Sequence, residues 1–494
     1  MFCLRGHGQL GGPVLPSNLD PKIFAILSGP NALSIAQYFG LPLPTPQHIN
    51  GILGAIVDPS VLYTYQVTND SQKEVEPAVL SLTIGGIDHT SSVYIRYPNG
   101  IVPRLFFSHS TNLVDWSSPL EMRRPLFGYT QSVDSLMAAN IYTNGIAPLR
   151  LYCVGLLKND YLRDPSAITA WYSDDGGQSW SYPTTVDSRG AGDFLLDKPA
   201  IATSLAPDSR GYVHVSYTNA YTPEVGRNEI VASRSTDGGI TFSDTQVLAT
   251  GTLGGSQVLV HPYLGNNVYV IWLDYANGVI RMRQSSDYGV HWGVTVDVAT
   301  FNPMVIDPQN QALGVVINGP VRAQTVLMAR YNSVANRICI VWHERQSSSP
   351  PNKNITDVYY TSNPGGVWQG KVLLNAQLPG DPEDYTRNDQ FMPALDFDTS
   401  GNVLVTWYDR KDDSGNILYH QYLTYVTSDG LRLQAPTRVS SFQSNPMAGP
   451  QPGFVGDYQD VWDWTFSSGE KYHNVWVGIP TSTDIANIYV SGIH

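Results

Sequence analysis

Three short stretches of the chain share one pattern: Ser173-Asp174-Asp175-Gly176-Gly177-Gln178-Ser179-Trp180, Ser235-Thr236-Asp237-Gly238-Gly239-Ile240-Thr241-Phe242 and Ser285-Ser286-Asp287-Tyr288-Gly289-Val290-His291-Trp292. Each reads Ser-x-Asp-x-Gly-x-(Ser/Thr/His)-aromatic. A tight hairpin satisfies that pattern. The carboxylates of Asp175, Asp237 and Asp287 accept backbone N–H bonds inside their own turns, and glycine supplies a positive φ. Trp180, Phe242 and Trp292 then plug the gap between neighbouring sheets. These six residues are read as structural. One turn recurring at near-regular intervals implies a repeated four-stranded unit, the signature of an all-β propeller.

The strands between the turns repeat as well. Inner strands carry Glu76-Pro77-Ala78-Val79, Lys198-Pro199-Ala200-Ile201 and Met392-Pro393-Ala394-Leu395. Second strands read Val268-Tyr269-Val270-Ile271-Trp272, Ile338-Cys339-Ile340-Val341-Trp342 and Val403-Leu404-Val405-Thr406-Trp407. Alternation and β-branched content support each. Eroded turns at Asn112, Asn363 and Asp429 bring the turn-bearing units to six. An insertion around residues 302–322 accounts for the long interval before Trp368. Residues 458–494 hold three more strands and lack a fourth. An open blade leaves an unpaired edge, so residues 61–67, which alternate well, are expected to supply the outer strand of a seventh blade. Six blades with an appended sheet is the alternative. The propeller then spans residues 59–494, and residues 1–58 form an N-terminal arm or cap.

Only 14% of the residues are charged, and the net charge is −13. Phosphates need a basic face, so nucleic acid is not the expected partner. No run of 18 apolar residues is present to span a membrane, and no secretory signal is visible. A Tyr-, Gly- and Pro-rich β composition with an uncharged polar surface suits extracellular, cell-surface and virion proteins. Cys3, Cys153 and Cys339 lie far apart. There is no CxxC pair, and no recognised calcium loop at Asp381 or Asp412, so neither metal nor cofactor is expected.

The three intact turns resemble the BNR or Asp-box repeats, whose best-known members are the sialidases. The resemblance covers roughly residues 71–494 and implies a propeller. Sialidases of this kind need three arginines on the substrate carboxylate, a Tyr–Glu nucleophile pair and an Asp acid/base. Their first arginine stands in an Arg-Ile-Pro at the first inner strand. The matching stretch here is Val75-Glu76-Pro77-Ala78, so a substrate carboxylate would meet Glu76 where a guanidinium fork is required. The resemblance therefore implies a sialidase-like member of non-standard type, without true sialidase chemistry.

In a propeller the ligand site lies over the central channel, built from inner-strand entries and from loops after second strands. The entries carry Glu76, Asp197, Lys198, Gln257, Asp389, Asp457 and Tyr458, and the loops carry Glu344, Arg345, Tyr408, Asp409 and Arg410. Paired carboxylates across such a ring do glycoside chemistry, one as acid and one as base or nucleophile, and Asp409 and Glu344 are the catalytic candidates. The plainer reading makes Asp197–Lys198 and Asp409–Arg410 strand-end ion pairs. Three functions fit this chain. One is a surface or extracellular recognition propeller that binds glycan or protein through its funnel face. Another is a glycoside-active hydrolase or lyase. The third is a virion or assembly subunit that forms oligomers through its N-terminal arm. The lost arginine and the low charge favour recognition.

Overall fold

The computed structural model describes residues 62–493 apart from short stretches, the longest at 141–149, 377–387 and 463–470. The expected arm at residues 1–58 lies outside the described residues, as do Asp381 and the centre of the sixth turn at Asp429. The described chain forms seven four-stranded antiparallel sheets and one two-stranded hairpin. It is a seven-bladed propeller, and no helix among the described residues is long and apolar enough to cross a membrane.

The ring closes as the missing-strand argument requires. The strand Leu62–Gln66 pairs with Asn487–Ile493, with Leu62 opposite Ile493 and Gln66 opposite Tyr489. The seventh blade thus takes its outer strand from the start of the described chain, and the six-blade alternative falls. Blades 1 to 3 open on the inner strands Glu74–Ile84, Gln131–Asn140 and Phe194–Thr203. Blades 4 to 7 open on Leu253–Val260, Leu327–Asn332, Gln390–Phe397 and Asp460–Trp462. Between blades 4 and 5 the insertion forms a hairpin of Val316–Ile317 and Val321–Arg322.

Second strands are buried on both faces because each blade packs against two others. Trp272, Trp342, Trp407 and Trp476 come from these strands and are all fully buried. Truncating any one to alanine would cost about 3–5 kcal/mol.

The repeated turns are built as the pattern demands. Asp175 Oδ1 accepts from Ser173 Oγ at 2.7 Å and Ser179 N at 2.9 Å, and Oδ2 from Ser179 Oγ at 2.5 Å. Asp237 repeats this with Ser235 and Thr241, and Asp287 with Ser285 and His291. Each turn also docks on the preceding blade. Ser91 Oγ donates to Gly176 O, Arg150 Nη1 to Gly238 O, and Arg234 Nη1 to Tyr288 O. The closing aromatics of the first and third turns both sit against the preceding blade. Trp180 meets Phe107 of blade 1 edge-on, and Trp292 lies beside His214 and Arg234 of blade 3.

Gly177 shows how tight this docking is. Its φ is 87°, and a Cβ there would lie 1.7 Å from Ser91 Oγ. Gly177→Ala is therefore expected to cost about 2 kcal/mol or more, because it combines strain with a clash. Asp237→Ala removes hydrogen bonds at a more open turn and is expected to cost about 1–2 kcal/mol. Urea denaturation of both variants checks the order, and equal losses would contradict the docking argument.

Candidate functional site

The inner strands do not run straight. Their pairing with second strands skips between Val75 and Ala78, Val133 and Leu136, Asp197 and Ala200, Gly254 and Gln257, and Phe391 and Ala394. Each bulge holds one left-handed residue: Glu76 (φ 55°), Asp134 (54°), Lys198 (49°), Gly255 (61°) and Met392 (52°). The repeated x-Pro-Ala motif is the local cause at three of them. Pro77, Pro199 and Pro393 have no N–H to give a ladder, so a bulge suits them. Four of the left-handed residues are not glycine, which costs on the order of 1 kcal/mol each. Such strain, held by the surrounding sheets, turns Glu76, Asp134 and Lys198 out of the ladder at the channel mouth.

There they line a cavity of about 300 Å³, with Tyr97, Lys158, Asp197, Arg322, Phe454 and Asp457. Lys198 is the hub. Its Nζ lies 2.6 Å from Asp134 Oδ1 and 2.6 Å from Asp457 Oδ2, tying blades 2, 3 and 7. Arg322 of the insertion reaches the same Asp457 oxygen at 2.5 Å. The Asp457 N–H donates to Glu76 Oε1 at 3.0 Å. Gly456 (φ 95°) permits that approach, since a Cβ there would meet Glu76 Cγ at 2.7 Å. Tyr458 donates to Ser135 O at 3.1 Å, and its ring lies 5.6 Å from Lys198 Nζ.

The two central carboxyls are driven apart. Burial pushes Glu76 well above the ordinary carboxylate range; Lys198 pulls it back, and Asp134 and Asp457 lift it further. Burial also opposes charge on Asp457, but Lys198 and Arg322 outweigh it and hold that carboxyl below its usual value. Burial thus favours the protonated form of Glu76, and the two cations favour the ionised form of Asp457. One oxygen each of Glu76, Asp134 and Asp457 lies within 4.8 Å of the others, a spacing that suits a metal ion. Lys198 already places an ammonium on two of the three, where a cation would otherwise sit.

Of the residues singled out from sequence, Glu76, Asp197, Lys198, Asp457 and Tyr458 come together here. The others do not. Asp409 is fully buried and accepts from Trp407 Nε1, Gln390 Nε2 and Lys411 N. Glu344 accepts from Trp342 Nε1 and Lys371 Nζ. Both form the same clip, an indole donating to the carboxylate two residues on. Arg345 donates to the carbonyls of Ser349, Pro350 and Lys353. Asp389 and Arg410 pair at 2.9 Å in the interior, and the Tyr408 hydroxyl accepts from Val477 N. Gln257 lines a second cavity of about 200 Å³, which also holds Leu136 and Trp462.

The insertion explains this division. Asn318 O accepts from Arg410 Nη1, Asn318 Nδ2 donates to Gly415 O and Asn416 O, and Ala323 O accepts from His343 Nε2. The hairpin thus covers the loop ends of blades 5 and 6, leaving the funnel to blades 1, 2, 3 and 7. Asp134, Arg322, Tyr97 and Lys158 were missed from sequence. Asp134 had a findable signal, because Asp134-Ser135-Leu136 falls one blade after Glu76-Pro77-Ala78. Arg322, inside an insertion, had none.

No family model matches the chain, and no curated protein matches it. Among solved structures, it is similar to a sialidase described as Hadza microbial sialidase Hz136, with a TM-score of 0.46 and 13% identity over 69% of this chain. It spans 64% of that sialidase's length. An α-L-arabinanase of Penicillium chrysogenum complexed with arabinobiose gives 0.45 and 10% over 87% of this chain and 97% of that one. Trypanosoma rangeli sialidase in complex with sialic acid gives 0.42 and 11% over 74% and 59%. None of them lends a site residue to this chain.

The raised folded-state value makes the native chain hold the Glu76 proton to higher pH than the unfolded chain does. Its contribution to stability is full below the ordinary glutamate range and is lost as pH rises through the folded value. Glu76→Gln, which stays neutral, is expected to gain stability relative to the parent as pH rises from about 5 to 8, with a slope no steeper than about 1.4 kcal/mol per pH unit. Urea denaturation across that range tests it. A difference that does not change with pH would contradict a neutral Glu76.

Proposed function

We propose that the protein recognises glycans, with one sugar residue seated in the funnel over blades 1, 2, 3 and 7. The observation that carries the reading is the strained ring of Glu76, Asp134 and Lys198 held around a cavity of about 300 Å³. That volume is at the lower end for small-molecule sites. Its lining joins charged groups with the aromatic side chains of Tyr97 and Phe454, the mixture that suits a molecule with both apolar faces and hydroxyl edges. The same bulge recurs in blades 4 and 6, and what sets the funnel apart is that its left-handed residues are Glu76, Asp134 and Lys198, charged groups that line one cavity.

A second reading, cleavage of a glycosidic bond, is favoured by one further observation. Glu76 and Asp457 are neighbouring carboxyls whose environments separate an acid from an anion, the division of labour that glycoside chemistry uses.

The test is a glycan array with the full-length protein, followed by titration calorimetry on the hits. Lys158 is half-buried on the cavity wall. Lys158→Met is expected to weaken binding about tenfold, or about 1.4 kcal/mol, with an unchanged melting temperature. A parent protein that retains no glycan would overturn the reading.

A further inference from the structure

The funnel's chemistry narrows which glycans it can hold; this step rests on the glycan reading. Its central cations are already matched. Lys198 is bonded to Asp134 and Asp457, and Arg322 to Asp457. Besides Glu76, three acidic residues line the cavity, Asp134, Asp197 and Asp457, against the three basic residues Lys158, Lys198 and Arg322. No positive excess is left to draw in an anion.

Two oxygens remain uncommitted. Glu76 Oε2 and Asp457 Oδ1 are buried with no hydrogen-bond partner among the described residues. Their residues are only 2% and 1% exposed. A neutral glutamic acid can donate through its O–H, whereas an aspartate anion can only accept. The two carboxyls, with one oxygen of each within 4.8 Å of the other, therefore present one donor and one acceptor. A hydroxyl, which does both, is the complementary group. A carboxylate can only accept, and it would bring a like charge to Asp457. An ammonium can only donate, and it would leave the Glu76 proton unmatched.

We propose that the funnel selects an uncharged, polyhydroxylated ring over an acidic sugar, with one ring hydroxyl donating to Asp457 Oδ1 and accepting from Glu76 Oε2. A site built to bond a hydroxyl discriminates strongly, because any other group leaves its buried polar atoms unpaired. The preference depends on pH. Lys198 and Asp134 face Glu76 from the neighbouring inner strands, Asp457 and Tyr458 from the entry to blade 7, Arg322 from the insertion, and Tyr97 from the end of the second strand of blade 1. Ionising Glu76 among them removes the donor and adds a charge beside Asp457, so binding falls on the alkaline side.

The experiment uses the full-length protein on an array of matched pairs: neutral oligosaccharides, and the same cores capped with sialic or uronic acid. Titration calorimetry from pH 6 to 8.5 follows on the best pair. The neutral member is expected to bind at least tenfold more tightly. Glu76→Gln keeps that preference and loses the alkaline fall, while Asp457→Asn erases the preference. If Asp457→Asn does not fold, the Glu76→Gln pH profile decides alone, and an alkaline fall that persists in it overturns the proposal. Equal or tighter binding of the acid-capped member overturns the proposal and leaves the glycan reading standing. Retention of no glycan by the parent overturns both.

Discussion

Leu62–Gln66 hydrogen-bond to Asn487–Ile493, so the two ends of the described chain hold one blade together. A propeller depends on that contact more than on any single core residue. Each blade buries its faces only because a neighbour stands on either side, and a ring lacking one outer strand would expose both an edge and an apolar face. The funnel inherits its precision from the same closure. Asp457 enters blade 7 and Glu76 enters blade 1, on either side of the seam. Their contact through the Asp457 N–H exists only while the seam is shut.

The charged cluster is a second consequence of ring geometry. Lys198 reaches carboxylates from blades 2 and 7, which no sequence neighbourhood would bring together. A lysine buried this deeply stays charged because two anions surround it, and Asp457 stays ionised because Lys198 and Arg322 surround it in turn. Glu76 is the member left without enough positive charge, so burial decides its state. One set of contacts thus produces both an acid and an anion. The left-handed backbone at Glu76, Asp134 and Lys198 is the conformational cost of aiming them inward.

Much of this was legible before any coordinates. The Asp turns, the x-Pro-Ala entries and the missing fourth strand of the last unit each have a local physical cause, and each appears in the fold. Glu76, Lys198 and Asp457 were legible as funnel residues because they sit at strand entries. Asp409 and Glu344 looked similar, as carboxylates following a second strand, but Trp407 and Trp342 turn them into internal hydrogen-bond acceptors. The indole two residues before the acid makes this clip in both blades, but the same spacing at Trp272 and Asp274 does not, because that indole N–H has no partner among the described residues.

Local rules therefore determined what each segment is: turn, bulge, strand or edge. They rest on forces that act over a few residues, namely side-chain capping of a turn, the missing N–H of proline and the two-residue period of a strand. Only the tertiary structure decided which entries face an open funnel and which lie beneath the Val316–Arg322 hairpin. It alone set which carboxyl keeps its proton. Both depend on burial and on charges that are distant in sequence, and those follow from the closed ring as a whole.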